Sequence, residues 1–344
     1  MSHYKNKKQI KLIGYLLTAM SLCDAISAET KEDLQHLQNK KTLIPLYQKH
    51  FFSIITQNDS YFNVKIDRYY TAGHGILYSS PEGKYGILDK IGFLKGNTSW
   101  SFVINQSIYT PKDRHDPNPP KGSHPYAGYL NIGFLWHHRN ENALENLGIR
   151  IGITGWPSFA KEVQTFVHNL FGTVILPGWG TQIEIEPIIN LHYDWTYRVL
   201  LAEFGVFSLD LLPYIDTALG NANIYIKGGA IFRIGHHLSS TFLPQGIAGE
   251  NGGSNTGRVY ADGLGYYLFL GSYGGYVARK MFIEGNSFSF KRAEILPWVG
   301  GLVGGLAIVS GNMSFSYEFF YISKEFREQD RAHGVGSLVF SWSF

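Results

Sequence analysis

Along most of this chain apolar and polar side chains alternate one for one. The clearest run lies at the end, where Leu338, Phe340, Trp342 and Phe344 fall on one face and Ser337, Val339, Ser341 and Ser343 on the other. Successive side chains of a strand point to opposite faces, so a period of two predicts a strand with one apolar face and one small or polar face. Trp100, Phe102 and Ile104 oppose Ser101, Val103 and Asn105 in the same way, and Leu130, Ile132, Phe134 and Trp136 oppose Asn131, Gly133, Leu135 and His137. Two runs are cleaner still. Leu147, Ile149, Ile151 and Ile153 oppose Gly148, Arg150, Gly152 and Thr154, while Met313, Phe315, Tyr317, Phe319 and Tyr321 oppose Asn312, Ser314, Ser316, Glu318 and Phe320.

The pattern predicts twelve strands, at 51–58, 71–80, 99–109, 126–138, 146–154, 183–202, 207–219, 222–235, 263–282, 295–309, 311–323 and 333–344. A soluble sandwich alternates too. A final strand that ends in Phe, apolar outward and small-polar inward, favours a barrel in an outer membrane, because in lipid every backbone group must be paired within a closed sheet. The expected fold is therefore all-β: a closed antiparallel transmembrane β-barrel of about twelve strands.

One segment breaks the period. Residues 157–172 read as a helix, with Phe159, Val163, Phe166, Val167 and Leu170 on one apolar arc and Gln164 and His168 one above the other at its edge. The expectation is an imidazole held at a packed surface beside a side-chain amide. With both termini on the periplasmic side, the connections after the first, third and fifth strands (59–70, 110–125 and 155–182) emerge together at the extracellular rim, and the helix with them.

Composition agrees with this picture. The 344 residues hold 39 Gly, 15% aromatics and only 17% charged residues, too rich in Gly and aromatics for an average soluble α/β enzyme. Lys5, Lys7, Lys8 and Lys11 precede an apolar run from Leu12 to Leu22 and the small residues Ala25, Ser27 and Ala28, which together read as a secretory signal over 1–28. Residues 29–50 are polar and are expected to form a periplasmic leader to the barrel, 51–344. The single cysteine, Cys23, falls within the signal, so a mature chain would carry no thiol. No later apolar run of about 20 residues could span a membrane as a helix. A formal charge of +3 gives no case for nucleic acid and suits contact with an anionic membrane surface.

Candidate chemistry gathers at the helix and one hairpin. Gln57-Asn58-Asp59 closes the first strand and Asp67-Arg68-Tyr69-Tyr70-Thr71-Ala72-Gly73 opens the second, so amide, carboxylate and hydroxyl oxygens meet across the turn. Hard oxygens of this kind suit Ca²⁺; turn capping by Asn and Asp is the alternative. His168 can be a base or a packed, hydrogen-bonded histidine. His236-His237-Leu238-Ser239-Ser240 places His beside Ser but falls at the opposite rim, and Asp113, His115, Asp116 and His124 form either a transition-metal set or a solvated loop.

Taken in order, these runs carry a resemblance. Asn58-Asp59, Asp67-Arg68-Tyr69-Tyr70-Thr71-Ala72-Gly73, His124-Pro125-Tyr126-Ala127-Gly128-Tyr129, Gly155 with Glu162 to His168, Pro177-Gly178-Trp179-Gly180-Thr181-Gln182 and Glu186-Pro187 resemble the lipid A 3'-O-deacylase family of Gram-negative outer membranes, over roughly residues 50–344. The resemblance implies a twelve-stranded barrel with its site between the wall and an extracellular helix, and the use of Ca²⁺ to remove the 3'-linked acyloxyacyl group from lipid A. It implies His168 as general base, with Asn58, Asp59 and Thr71 as the opposing polar cluster and Asn58 and Asp59 as the metal-holding pair. Gln164 and Asp67 are supporting residues. Lipid A within lipopolysaccharide is the implied partner of an outer-membrane protein expected to be monomeric. An outer-membrane phospholipase and a passive small-solute barrel, with Gly148, Gly152, Ser314 and Ser316 lining a hole, are the alternatives.

Overall fold

In the computed structural model the described residues are 47–62, 68–242, 263–289 and 293–344. The signal, most of the expected leader and Asp67 lie outside them. The strands are β1 (Phe51–Asn58), β2 (Tyr69–Ser79), β3 (Asn97–Thr110), β4 (Ala127–Arg139), β5 (Ala143–Thr154), β6 (Pro187–Tyr197), β7 (Val199–Phe204), β8 (Phe207–Gly220), β9 (Asn223–His236), β10 (Leu264–Lys280), β11 (Trp298–Ser310), β12 (Met313–Ile322) and β13 (His333–Ser343). Among the described residues two α-helices accompany them, α1 (Ala160–Phe171) and the single turn α2 (Met281–Glu284).

Apart from β6 and β7, strands adjacent in sequence pair antiparallel, β1 also pairs with β13, and β6 pairs with both β5 and β8. The sheet closes on itself through the β1–β13 and β6–β8 pairings, which settles the choice between sandwich and barrel. The thirteen strands make a twelve-stave wall because β7 continues β6: Thr196 opposite Tyr214 and Val199 opposite Leu211 lie in one register. The break falls beside Pro213, which has no N–H to give the ladder. The wall also begins a residue earlier than the alternation implies, since His50 and Phe344 exchange main-chain hydrogen bonds of 3.2 and 3.0 Å.

The two faces of the wall divide as the alternation predicts. In β13, Phe340 and Trp342 are exposed on the outside while Ser337, Ser341 and Ser343 are buried within. One rung of the ladder shows the outer face best: Ile54, Ile76, Ile104, Ile132, Ile151 and Ile189 stand side by side across β1 to β6, all exposed. This is the apolar belt of a membrane barrel.

Inside, side chains fill the lumen. Leu77, Val103 and Leu135 pack with Tyr47 and Phe51, and the fully buried Arg150 donates to Asn131 Oδ1 at 3.2 Å. Towards the rim that holds the C-terminus, here the near rim, the segment after β9 turns back into the barrel and buries Leu238 and Phe242. Arg233 pins it, donating to Asp210 and to the carbonyls of Leu238, Thr241 and Phe242. At the far rim Phe282 of α2 stacks on Tyr109 at 4.7 Å and Tyr109 on His124 at 5.7 Å. Gly148, Gly152, Ser314 and Ser316 do lie on the inward face; Leu135 fills the space at Gly148 and Tyr129 that at Gly152.

Candidate functional site

The connections after β1, β3 and β5 all reach the far rim, as strand parity requires, and α1 lies there over β3 and β4. It sits on the outside of the wall. Ala160 and Val163 pack with Ala72, Ile108, Tyr126, Leu176 and Trp179, and Ala72 and Ile108 are outward positions of β2 and β3. Contact is close because Gly128 of β4 has no side chain: a Cβ there would stand 2.1 Å from Ser158 Oγ and 2.5 Å from Ala160 Cβ. Gln106 Nε2 donates to the Ser158 carbonyl at 2.7 Å and ties the helix start to β3.

The helix differs from its sequence reading in extent and in face. Phe159 has a left-handed backbone (φ 56°) between a 3-10 turn, Trp156–Ser158, and the first residue of α1, so the helix begins three residues later than the periodicity suggests. Of the expected apolar arc, Val163 packs on the barrel, but most of the arc does not. Ala160 and Gln164 are buried against the wall, while Phe159, Phe166 and Leu170 are exposed. Outside a membrane barrel the surroundings are themselves apolar, so such an arc has no need to turn inward.

Gln164 accepts a hydrogen bond of 2.8 Å from Trp179 Nε1, and the Trp179 ring lies 5.3 Å from that of Tyr126. The Gln164 Nε2 is buried and unpartnered. His168 stands one turn on, along the same face. Its Nδ1 lies 2.6 Å from the Val174 carbonyl, which can only accept, so this nitrogen carries the proton and Nε2 keeps its lone pair. The contact comes from the way α1 ends. Gly172 takes a left-handed conformation (φ 66°), Thr173 N donates to the His168 carbonyl at 2.8 Å, and the chain doubles back past the imidazole.

Across the ladder, Asn58 pairs with Ala72 and Ala72 with Ile108, one row on the outer face. A bulge between Tyr70 and Ala72 brings Thr71 to the same side, where its hydroxyl meets that of Thr110 at 2.6 Å. The Asn58 side chain caps the turn Asp59–Tyr61, accepting from Ser60 N at 2.8 Å. Turn capping, one of the two readings of this sequence, is thus present. Asp59 is buried; its Oδ2 accepts from Arg68 N, while Oδ1 has no hydrogen-bond partner. Burial pushes the Asp59 carboxyl up to about 8 against the lowering effect of the Arg68 and Ser60 amides.

A buried carboxylate oxygen without a partner is the kind of donor that fits a hard cation. Among the described residues no group of three or more His, Cys, Asp or Glu is placed to hold a metal, so Ca²⁺ here would have to draw on amide, hydroxyl and main-chain oxygens besides Asp59. Arg68 braces the turn through its amide, and its guanidinium lies 4.0 Å from Asp330. His124 joins no metal set: it is buried among Tyr69, Tyr109 and Phe326. His236 lies at the near rim, with Nδ1 on the Leu264 carbonyl at 2.8 Å.

The sequence reading missed Trp179 as the anchor of Gln164, although its place in Pro177-Gly178-Trp179 was a signal. It could not have found the Val174 carbonyl, since a main-chain group leaves no mark on residue type.

A family model described as outer membrane protein LpxR matches residues 15–344. Among solved structures, LpxR from Salmonella typhimurium superposes with a TM-score of 0.71 at 21% identity, over 86% of this chain and 100% of that one, a likeness that speaks to the fold. The β domain of the Bordetella autotransporter BrkA aligns at a TM-score of 0.44 and 10% identity, over 86% of this chain and 99% of that one. The translocator domain of the autotransporter NalP from Neisseria meningitidis aligns at 0.40 and 9%, over 93% and 97%. No curated protein matches the sequence.

Proposed function

The chain belongs to the outer membrane protein LpxR family, and on that premise we propose that it is a lipid A 3'-O-deacylase, hydrolysing the ester that links an acyloxyacyl group to the 3' position. The observation that carries the reading is the bond from His168 Nδ1–H to the Val174 carbonyl, which leaves Nε2 free to take a proton. Geometry adds support. A helix rises about 1.5 Å per residue and strands lie about 4.8 Å apart, so the eight residues from Ala160 to His168 cover about 12 Å, or two to three strands. A helix that starts at Gly128 of β4 and crosses β3 past Ile108 would bring His168 towards the Asn58, Asp59 and Thr71 end of β1 and β2.

In this reading His168 Nε2 draws a proton from water as the water oxygen attacks the ester carbonyl carbon. The proton returns to the 3' oxygen when its bond to that carbon breaks, giving a sugar hydroxyl and a free acyloxyacyl acid. Gln164, held by Trp179, aims its unpartnered Nε2 at the water or the imidazole. Asn58 and Asp59 would hold Ca²⁺, with Thr71 beside them as a further oxygen or hydroxyl donor. Bound there, Ca²⁺ supplies positive charge where the carbonyl oxygen becomes negative, a service typically worth about 3 kcal/mol even from one neutral donor. Asp67, outside the described residues, keeps its supporting role as part of the proposal.

The far rim is assigned to the cell exterior. Near-rim connections 140–142, 205–206 and 311–312 are as short as periplasmic turns usually are. The site then faces the outer leaflet, where lipid A resides, and the protein acts as a monomer on it. Mass spectrometry of lipid A from cells with and without the protein tests the reaction: the 3' acyloxyacyl mass should vanish when it is present. Unchanged lipid A alongside newly formed lysophospholipid would replace the proposal with a phospholipase.

A further inference from the structure

The outer wall is apolar along the isoleucine rung, but the next rung towards the far rim is polar on three strands. Thr56 pairs with His74 and His74 with Gln106, all facing outward. A lipid-facing wall does not ordinarily carry such a rung, because acyl chains offer no hydrogen bonds. Here α1 reaches this rung at Gln106, which bonds the Ser158 carbonyl, and further apolar surface appears along one exposed edge of the helix. Phe166 and Leu170 are each 67% exposed, with Phe159 on the same side and Trp156, Phe171 and Val174 flanking. Glu162, also exposed, lies one turn before Phe166 and borders this strip, while exposed Lys161 lies on another side of α1.

We infer that the exposed apolar edge of α1 is immersed in the acyl chains of the surrounding leaflet, so that the membrane belt passes from the isoleucine rung on the wall to Phe166 and Leu170 on the helix. The belt belongs to an outer-membrane barrel, and an amphipathic helix with such an edge, lying against that barrel at the belt's upper limit, has acyl chains as its natural cover. This inference rests on the fold and the membrane location and is independent of the reaction proposed above.

The test places spin labels in the full barrel reconstituted in phosphatidylcholine vesicles. With Cys23→Ser as background, labels are introduced by Phe166→Cys, Leu170→Cys, Lys161→Cys and, as a belt reference, Ile76→Cys. Heat-modifiability on a gel selects the folded protein. The ratio of collision with oxygen to collision with a water-soluble nickel chelate should match that of position 76 at positions 166 and 170, and fall several-fold at 161. Ratios at 166 and 170 equal to that at 161 would overturn the inference. A label-free measurement stands behind it, in vesicles whose acyl chains are brominated: Trp156→Phe should remove part of the bromine-quenched tryptophan emission, and an unchanged quenched fraction would count against immersion.

Discussion

His168 Nδ1 donates to the main-chain carbonyl of Val174 across 2.6 Å, and the two are brought together by the left-handed Gly172 that ends α1. Thr173 and Val174 follow the helix, and a peptide carbonyl holds the imidazole without adding charge. Gly172→Ala should therefore act on catalysis through geometry. A left-handed alanine costs about 1–2 kcal/mol, enough to open the turn and free the imidazole. The expected result is a roughly tenfold fall in kcat with KM little changed, the equivalent of about 1.4 kcal/mol. Gly172→Asn, which tolerates that backbone, should restore most of the rate. Equal loss in both variants would mean that the turn does not set the imidazole.

The hydrogen bond from Trp179 to Gln164 makes a second, separable prediction. Gln164→Leu leaves a buried indole N–H without an acceptor, at a cost of about 1–3 kcal/mol. Gln164→Glu keeps an acceptor in place. Thermal unfolding followed through tryptophan fluorescence should show the Leu variant less stable than the Glu variant, while both lose activity because the free Nε2 is gone. A Leu variant as active as wild type would remove Gln164 from the site.

The staves were legible in the sequence because two media act on each strand. Lipid outside and packed small or polar groups inside demand opposite side chains at successive positions, and the run from Ser337 to Phe344 obeys both. The helix was legible as an element and misread as a surface. Periodicity shows that Phe159, Phe166 and Leu170 share a side, but the side that packs is chosen by Gly128, Gln106 and Ala72, which are far off in sequence. The left-handed Phe159 also hid the true start, since a bulky residue in that conformation is uncommon. Asn58, Asp59 and Thr71 were singled out by residue type; that Thr71 turns outward depends on a bulge, which alternation alone does not predict.

Thr71 and Thr110 share one hydrogen bond of 2.6 Å, so replacing either disturbs the other. Comparing Thr71→Val with Thr110→Val separates structure from chemistry. Both lose the pair and should lower stability alike, by about 1 kcal/mol. Only Thr71→Val should reduce kcat markedly, as expected of a residue lying beside the reacting ester. If the two variants lose activity equally, Thr71 serves only the wall.

His124, in the connection ahead of β4, gives the far rim a pH dependence. Burial lowers its pKa from near 6.5 to about 4, partly offset by the bond to the Pro125 carbonyl. The folded form thus binds fewer protons than the unfolded one between these values. Stability is whole above pH 6.5, falls as pH drops through this window, and by pH 4 has lost about 3 kcal/mol. Hydrogen exchange of residues 111–126, corrected for intrinsic rates, should show weaker protection at pH 5 than at pH 7.5. Unchanged protection would mean that His124 is not held neutral.

The proposed cation site can be tested without mutating the base. Asp59 Oδ1 is the one buried carboxylate oxygen of the cluster without a partner, and a negative group so placed is costly unless a cation meets it. Treatment with a Ca²⁺-selective chelator should abolish ester hydrolysis, and excess Ca²⁺ should restore it. Mg²⁺, smaller and bound to its own water, should not substitute. Asp59→Asn retains an oxygen acceptor for the Arg68 amide and so should fold, yet it should need much more Ca²⁺ for the same rate. Wild-type activity that survives chelation would take the metal out of the mechanism and leave Asn58 and Thr71 as the donors to the developing oxyanion.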